Sequence, residues 1–286
     1  FSFDDSTVPR WALRFSYLGG KDYSINVDGA FWFQNFSYNG VTADRADGRL
    51  LVQIKEKESR VYIEPLLIVR PEGSYDGGFM VDLGKDIVEF RGNSSMDPKS
   101  LAKLIGVMDD NDMRAWRFNG HVKMSASGVC GLSSYSNMNF HLDVEGEKVG
   151  LGILDADSTT FTIAFHDGTG KVSNLKGKMY GGEFNGSVEI LLPGVISSSL
   201  YYRVDCTALG ADFGRAVTAI TGEKNEYRGK MNLYIDIEGP CAGETFQFAR
   251  GDGQIFVRKG KVFLLPLFGG LTRFMAVIIP GFQFIF

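Results

Sequence analysis

The chain has 286 residues, of which 44% are hydrophobic and 22% are charged, and its formal net charge is −4. This composition is typical of a folded protein with a sizeable core and excludes a disordered chain. The isoelectric point near 5.5 provides no broad basic field for a phosphate backbone, which argues against nucleic acid as a partner.

The first part of the chain alternates apolar and polar residues with a period of two. Residues 10–17 place Trp11, Leu13, Phe15 and Tyr17 on one side. Because successive side chains of a strand point to opposite faces, this pattern predicts a strand with one apolar face. Further strands are predicted at 23–45, 49–55, 59–70, 74–82 and 86–92. The dipeptides Asp28-Gly29, Asn39-Gly40 and Asp47-Gly48 are read as hairpin turns. Residues 1–95 are therefore predicted to form an antiparallel meander.

Three short helices are predicted to interrupt the strands. The first begins after Asp97, whose side chain can cap it, with Pro98 in the first helical position. The second covers 209–221 and stops at Gly222. The third, over 267–279, is interpreted as a lid, formed by Leu267, Leu271, Phe274, Met275 and Ile278.

The strand pattern continues between and after these helices. Residues 116–126 are read as one strand, with Trp116 and Phe118 on the same face as Val122 and Met124. A second group of strands extends over about 114–207. Strands resume at 228–238, 245–250, 252–258 and 261–265. The sequence is divided into three segments, 1–95, 96–207 and 208–286. Because it begins at Phe1 and stops within a strand pattern, it is interpreted as a fragment or a processed chain.

Residues that could carry catalysis or bind a metal form no recognisable arrangement. The three cysteines, Cys130, Cys206 and Cys241, lack CxxC spacing and are read as free, partly buried thiols. The histidines His121, His141 and His166 lie on the polar sides of strands. The acidic residues Asp109, Asp110 and Asp112 lack the glycine and the terminal glutamate of a calcium loop and are read as a solvated loop. The segment 167–171 lacks the spacing of a phosphate loop and is read as a hairpin turn. No cofactor, metal or enzymatic activity is predicted.

Four segments in order resemble the C-terminal region of AsmA-like proteins. They are KMYGGEFNGSVEI (178–190), the helix at 209–221, YRGKMNLYIDIEG (227–239) and ARGDGQIFVRKGKVFLLPLFGGLTRF (249–274). The match in order and spacing covers about residues 172–282. The resemblance implies a relative of the bridge-like lipid transfer proteins: a long, strongly curved antiparallel sheet, shaped like a taco, whose apolar groove conducts phospholipid or another acyl lipid. It also implies a place in the bacterial envelope, in the periplasm, with an anchor in the inner membrane supplied by a segment outside this sequence, and other envelope proteins as possible partners.

The fold class expected is therefore mainly β, with one long, curved antiparallel sheet, an apolar groove and a few short helices. Residues 1–95 are expected to form the N-terminal meander of the groove, residues 96–207 a central β repeat opened by a short helix, and residues 208–286 the AsmA-like C-terminal part with two short helices. The residues expected to line the groove are the inward members of the alternating strands: Trp116, Phe118, Val122, Met124, Phe140, Leu142, Val144, Phe161, Ile163, Phe165, Val188, Ile190, Leu192, Met231, Leu233, Ile235, Ile237, Phe246, Phe248, Ile255, Val257, Val262 and Leu264.

Two other interpretations fit an alternating sheet face. The face can be the closed core of a sandwich or barrel in a scaffolding module that binds protein or glycan. A glycan-cleaving β-helix or jelly-roll enzyme is the third interpretation, and it would need carboxylates clustered in a cleft. The C-terminal residues 262–286 carry one charge, Arg273, but Pro266, Gly269, Gly270 and Pro280 interrupt them, so they are read as a strand and a lid instead of a membrane span.

Overall fold

The protein is mainly β, and a computed structural model describes residues 2–3, 8–20, 23–56, 58–105, 114–133, 138–152, 154–193, 200–222, 226–240 and 249–259. Its elements in the first part of the chain are β1 (Ser2–Phe3), β2 (Arg10–Leu18), β3 (Ser24–Tyr38), β4 (Val41–Lys55), β5 (Ser59–Arg70), β6 (Gly73–Asp82), β7 (Ile87–Ser94) and α1 (Pro98–Ile105). They continue with β8 (Trp116–Phe118), β9 (Val122–Gly131), β10 (Asn139–Leu151), β11 (Leu154–His166), β12 (Thr169–Met179), β13 (Gly182–Leu191), β14 (Tyr201–Asp212), α2 (Phe213–Thr221), β15 (Lys230–Pro240) and β16 (Arg250–Arg258).

These strands form one 16-stranded sheet that is not closed. Its order is β1-β3-β4-β5-β6-β7-β9-β10-β11-β12-β13-β14-β15-β16, with β2 paired to β3 and β8 paired to β10. Every pairing whose register is known is antiparallel. A chain of hairpins makes such an order, because two antiparallel strands need only a tight turn between them.

Two compact units share the chain. Unit 1 consists of residues 1–109, 122–142 and 165–167, and unit 2 consists of residues 110–121, 143–164 and 168–286. The division into three segments at residues 95 and 207 stays a prediction.

The hairpin turns use residues that accept a left-handed backbone. Asn39 and Gly40 join β3 to β4 with φ of 48° and 74°, and Asp167 and Gly168 join β11 to β12 with φ of 48° and 73°. Tyr180 and Gly181 join β12 to β13 with φ of 52° and 71°. Two successive residues with positive φ are what a type I′ turn requires. The turn predicted at residues 167–171 is confirmed.

Two of the predicted turns are wrong. Asp28-Gly29 lies inside β3, and Asp47-Gly48 lies inside β4, each of which has 15 residues. A Cβ atom added at Gly48 would stand 2.4 Å from the Phe31 ring, and one at Gly29 would stand 2.3 Å from the Ala12 carbonyl oxygen. Gly48 therefore leaves room for the Phe31 ring, and Gly29 leaves room for the backbone at Ala12.

The segment predicted as one strand over 116–126 is two strands. β8 ends at Phe118 and pairs with β10, and β9 begins at Val122 and pairs with β7. Gly120 separates them, and a Cβ atom there would stand 2.5 Å from the Glu147 carbonyl oxygen. Trp116 and Phe118 consequently belong to unit 2, whereas Val122 and Met124 belong to unit 1.

The two predicted helices in the described residues are present. Asp97 accepts a hydrogen bond from Lys99 N at 3.2 Å, and α1 begins at Pro98 as predicted. The second helix begins at Phe213 instead of residue 209, because residues 209–212 complete β14. Gly222 ends it in a left-handed conformation. The predicted lid over 267–279 and the strands at 245–248 and 261–265 lie outside the described residues.

Candidate functional site: two apolar faces

One face of unit 1 is apolar across seven neighbouring strands. We call it the first apolar face. One row crosses β2, β3, β4, β5, β6, β7 and β9, in register, as Phe15, Val27, Val52, Val61, Val81, Val88 and Cys130. The next row consists of Leu13, Gly29, Leu50, Ile63, Phe79, Phe90 and Gly128. With strands about 4.8 Å apart, each row is about 29 Å long.

The side chains of the first apolar face are partly exposed. Its row members on β3 to β9 are half-buried, and on β2 the exposed fractions are 56% for Leu13 and 65% for Phe15. Side chains in a packed interior lose nearly all of their contact with solvent. The side chains of this face therefore keep more contact with solvent than those of a closed core.

An aromatic cluster bounds the first apolar face at one end of the strands. Phe31, Phe33 and Phe36 are buried there together with Ala43 and Ala46. Phe31 and Phe33 are stacked, and Phe33 meets Phe36 edge to face; ring pairs of these kinds stabilise a cluster beyond the area they bury. The cluster fixes one end of the face while the rows beside it stay open.

The opposite face of unit 1 carries ion pairs. Arg49 donates two hydrogen bonds of 3.0 Å to the Asp28 carboxylate, and Arg91 Nε donates one of 2.9 Å to Glu64. The Arg49 guanidinium lowers the pKa of Asp28, chiefly through these hydrogen bonds. Charged side chains on one face and apolar ones on the other are expected for an antiparallel sheet with one wet side.

The polar face of unit 1 also holds an open cleft of about 380 Å³. Small residues, among them Gly77, Gly92 and Ala126, form part of its lining. Its remaining lining residues are Glu64, Pro65, Asp76, Arg91, Asn93, Ser125 and Ser127. The polar groups among them offer both donors and acceptors to a polar ligand.

Unit 2 has an apolar face of a different kind, which we call the second apolar face. It crosses β13, β14 and β15, and its buried members are Val188, Ile190, Tyr202, Val204, Ala208, Leu233, Ile235 and Ile237. Leu233, Ile235 and Ile237 are each 5% exposed. These side chains are packed as core residues, so a ligand reaches them only if their packing opens.

Helix α2 packs at one end of unit 2. Its Phe213, Ala216 and Val217 are buried against Tyr180 and Met231. Asp212 begins the helix by accepting a hydrogen bond from Arg215 N at 2.9 Å. The helix therefore buries its apolar stripe on the sheet and covers part of it.

The polar face of unit 2 carries a ladder of alternating charge. Neighbouring strands place Lys171, Glu189, Arg203, Glu238 and Arg250 opposite one another in register. Arg203 Nε donates to Glu238 at 2.9 Å, and its Nη1 contacts Glu189 at 3.5 Å. Hydrogen bonding to Arg203 lowers the pKa of Glu238. Opposite charges in register stabilise strand pairing, so this face is a solvated outer surface.

The thiols in the described residues are neutral at physiological pH. Burial, with a smaller contribution from Asp205, raises the pKa of Cys206 to about 11. Burial also raises the pKa of Cys130. Because the thiolate is the nucleophile, neither residue is activated for covalent catalysis. Cys241 lies outside the described residues.

The predicted groove residues are distributed over both units. Unit 1 contains Val122, Met124, Phe140, Leu142 and Phe165, and unit 2 contains Trp116, Phe118, Val144, Phe161, Ile163, Val188, Ile190, Leu192, Met231, Leu233, Ile235, Ile237, Ile255 and Val257. Two ring pairs are stacked, Phe140 on Phe165 at 5.9 Å and Trp116 on Phe118 at 5.9 Å. Ile255 on β16 is 46% exposed, whereas Met231 beside α2 is buried. Phe246, Phe248, Val262, Leu264 and the lid residues lie outside the described residues.

The polar residues that were considered for catalysis or metal binding from the sequence do not form a site. His121, His141 and His166 are exposed, and His166 Nε2 stands 2.9 Å from an oxygen of the exposed Asp167. In the described ranges, no three His, Cys, Asp or Glu side chains meet in a way that could hold a metal ion. Asp109, Asp110 and Asp112 fall outside those ranges.

The sequence predicted residues 1–95 as part of the groove, but no side chain of the two rows of the first apolar face was among the residues predicted to line it. The signal was present, because Trp11, Leu13, Phe15 and Tyr17 already alternate with polar or small residues. The resemblance to AsmA-like proteins, however, was found over residues 172–282. The predicted groove residues therefore lie mostly in the second half of the chain.

Comparison with known proteins yields no relative. No protein-family model, no curated protein and no solved structure matches the chain. The described helices include none whose length and apolar character would let it span a membrane.

Proposed function

We propose that this protein binds phospholipid or another acyl lipid without catalysis and conducts it passively along the first apolar face. The observation that carries the proposal is the seven-strand row from Phe15 to Cys130, which is apolar throughout and half-buried or exposed. The resemblance of residues 172–282 to AsmA-like proteins supports the same function. It also supports a bacterial envelope location between the two membranes, with an inner membrane anchor outside this sequence.

Moving an acyl chain from water onto an apolar surface is strongly favourable in free energy. A sixteen-carbon chain in water exposes methylenes that cost roughly 0.8 kcal/mol each, or on the order of 12 kcal/mol in all. Rows of Val, Leu, Ile and Phe side chains remove much of that contact with water. The first apolar face accepts an acyl chain as it stands, whereas the second would have to separate its buried side chains.

The test compares two neighbouring substitutions on β4. Val52 lies in the middle of the first apolar face, and Gln53 is the next residue, on the opposite face, across from Arg60. Lipid that co-purifies with the full chain is extracted into organic solvent and quantified by mass spectrometry. We expect Val52→Glu to lose at least about tenfold of the bound lipid, because a carboxylate beside an acyl chain is strongly disfavoured. Gln53→Glu retains wild-type amounts.

Folding has to be checked separately from binding. Circular dichroism and thermal unfolding establish whether Val52→Glu remains folded. Val61→Phe, which narrows the same row with an apolar side chain, serves as a second variant and should also lower the amount of lipid. Wild-type lipid content in both folded variants, or a purified wild-type chain without lipid, overturns the proposal. Leu233→Glu is a poor probe, because Leu233 is buried in the core of unit 2.

The cleft on the polar face of unit 1 favours a second candidate function, an envelope scaffolding module that binds glycan or protein. Its carboxylate, amide and hydroxyl side chains suit a polyhydroxylated ligand. Lipid-free protein that binds a soluble oligosaccharide, with loss of binding on Asn93→Ala, would support this function over lipid binding.

A further inference from the structure

The β2 edge of unit 1 combines two features that call for a partner. Within the described residues, β2 pairs with β3 alone, and each of its nine residues is exposed. Trp11, Leu13, Phe15 and Tyr17 form one apolar stripe along it, with exposed fractions of 52% to 65%. An exposed, long and apolar edge strand is a template for the addition of another strand.

The backbone of β2 decides which class of partner fits. A strand offers half of its N–H and C=O groups to each side, and among the described strands β3 alone pairs with β2, on one side. Hydrocarbon cannot satisfy the other side, so open sheet edges do not occur in the bilayer core. An added β-strand satisfies the backbone and places its own apolar side chains beside the stripe.

The charge on β2 restricts further which kind of strand can pair with it. Its opposite side carries Arg10 and Arg14, and the strand contains no acidic residue. Arg14 stands across from Asp28, which already accepts two hydrogen bonds from Arg49. The edge therefore has positive charge in excess. Two copies of β2 would bring four arginines to one seam without a carboxylate from either strand, and like charges there oppose pairing.

We propose that β2 is the docking edge for an extended segment of another protein, in which apolar residues alternate with aspartate or glutamate. The apolar residues of that segment continue the stripe from Trp11 to Tyr17. Its carboxylates lie beside Arg10 and Arg14. The proposal does not rest on lipid binding, because the backbone edge and the arginine side of β2 lie outside the first apolar face, although Leu13 and Phe15 belong to both the stripe and that face.

The test uses the full chain and a fluorescent nine-residue peptide in which glutamate alternates with valine. Fluorescence anisotropy should show saturable binding that weakens as salt rises. A peptide with lysine in place of glutamate should not bind. Arg10→Glu should weaken binding at least about fivefold, because it converts attraction into repulsion at an exposed position. The matched control Arg258→Glu, on β16, should bind as the wild type does.

A second measurement separates strand addition from loose charge attraction. Hydrogen exchange should show protection of the β2 amides when the glutamate peptide binds. Equal binding of both peptides, unchanged β2 exchange, or an unaffected Arg10→Glu variant overturns the proposal. So does a dimer that forms through β2 at micromolar concentration, or binding of phosphatidylglycerol vesicles that requires Phe15 while the peptide does not bind.

Discussion

The most buried charge in the described residues belongs to Asp82 at the end of β6. Its side chain is nearly inaccessible, and it accepts hydrogen bonds from Arg60 Nε at 2.8 Å and from Lys85 N at 3.0 Å. These bonds stabilise the carboxylate over the carboxylic acid. They lower the pKa of Asp82 below its ordinary value of 3.8, with Arg60 as the largest cause.

Stability should therefore depend on the charge of Asp82. A carboxylate whose pKa is lower in the folded state contributes stability above its unfolded pKa and loses it as the pH falls through the folded pKa. We expect Asp82→Asn to lower the midpoint of thermal unfolding by a few degrees at pH 7. The difference from wild type should shrink as the pH falls below 3.8.

Asp76→Asn on the same strand is the control for this prediction. Asp76 is exposed and lies in the polar cleft, so its loss should change the midpoint little at either pH. A constant gap between Asp82→Asn and wild type from pH 7 to pH 3 would show that the Asp82 charge is not what stabilises this turn.

At the scale of an element, α2 depends on its first residue. Asp212 ends β14 and accepts the hydrogen bond of Arg215 N, one of the amides that an α-helix leaves without an internal partner. Replacing such a cap by alanine typically costs about 1 kcal/mol. We expect Asp212→Ala to lower the unfolding free energy of unit 2 by this amount, measured by urea titration.

The matched variant for α2 is Asp212→Asn, which keeps an oxygen in the same place. Asparagine caps helices about as well as aspartate, so this variant should remain within a few tenths of a kcal/mol of wild type. An equal loss in both variants would mean that the charge of Asp212 matters and that the capping hydrogen bond does not.

Hairpin turns could be predicted from the sequence only in part, because the same dipeptide occurs both in turns and inside strands. Asn39-Gly40 and Asp167-Gly168 form the expected turns because both of their residues accept positive φ. Asp28-Gly29 and Asp47-Gly48 carry the same local signal, yet they lie in the middle of strands. Their glycines accommodate the Ala12 backbone and the Phe31 ring, and these neighbours are far away in sequence. A local pattern contains no information about such contacts.

The alternation of side chains predicted which side of a strand a residue lies on, but not whether that side is buried. It assigned Leu233 and Ile235 correctly to one side of β15, opposite Asn232 and Tyr234. It could not tell that these residues are buried while Phe15 on β2 is exposed, because burial depends on what packs against a face. Thr162 illustrates the limit, since it is buried although the alternation places it on the side opposite the predicted groove residues Phe161 and Ile163. Its hydroxyl donates to Asp143 at 2.6 Å.

At the scale of the whole molecule, one strand pattern serves two roles. In unit 2 it builds a packed core across β13, β14 and β15. In unit 1 it builds an apolar face that stays half open across seven strands. Burial of apolar area is the main source of stability, so the unit that buries less of its face gives up stability, and in the proposed function it gains a surface for lipid.

This difference predicts a gradient of hydrogen exchange along the chain. β14 and β15 each pair with a strand on both sides, and their apolar side chains are buried. In the described residues β2 pairs on one side alone, and its side chains are exposed. Exchange measured by mass spectrometry should therefore be slowest in 202–208 and 233–237. It should be at least about a hundredfold faster in 10–18, since opening of an edge strand breaks few contacts.

The concentration of the protein supplies the control for this gradient. Exchange in 10–18 should be the same at low and high protein concentration, because the arginines of β2 oppose its pairing with a second copy. Protection of 10–18 that matches that of 202–208 in the dilute chain would mean that the β2 edge is already covered. The open half of the first apolar face would then be smaller than the exposure of Leu13 and Phe15 indicates.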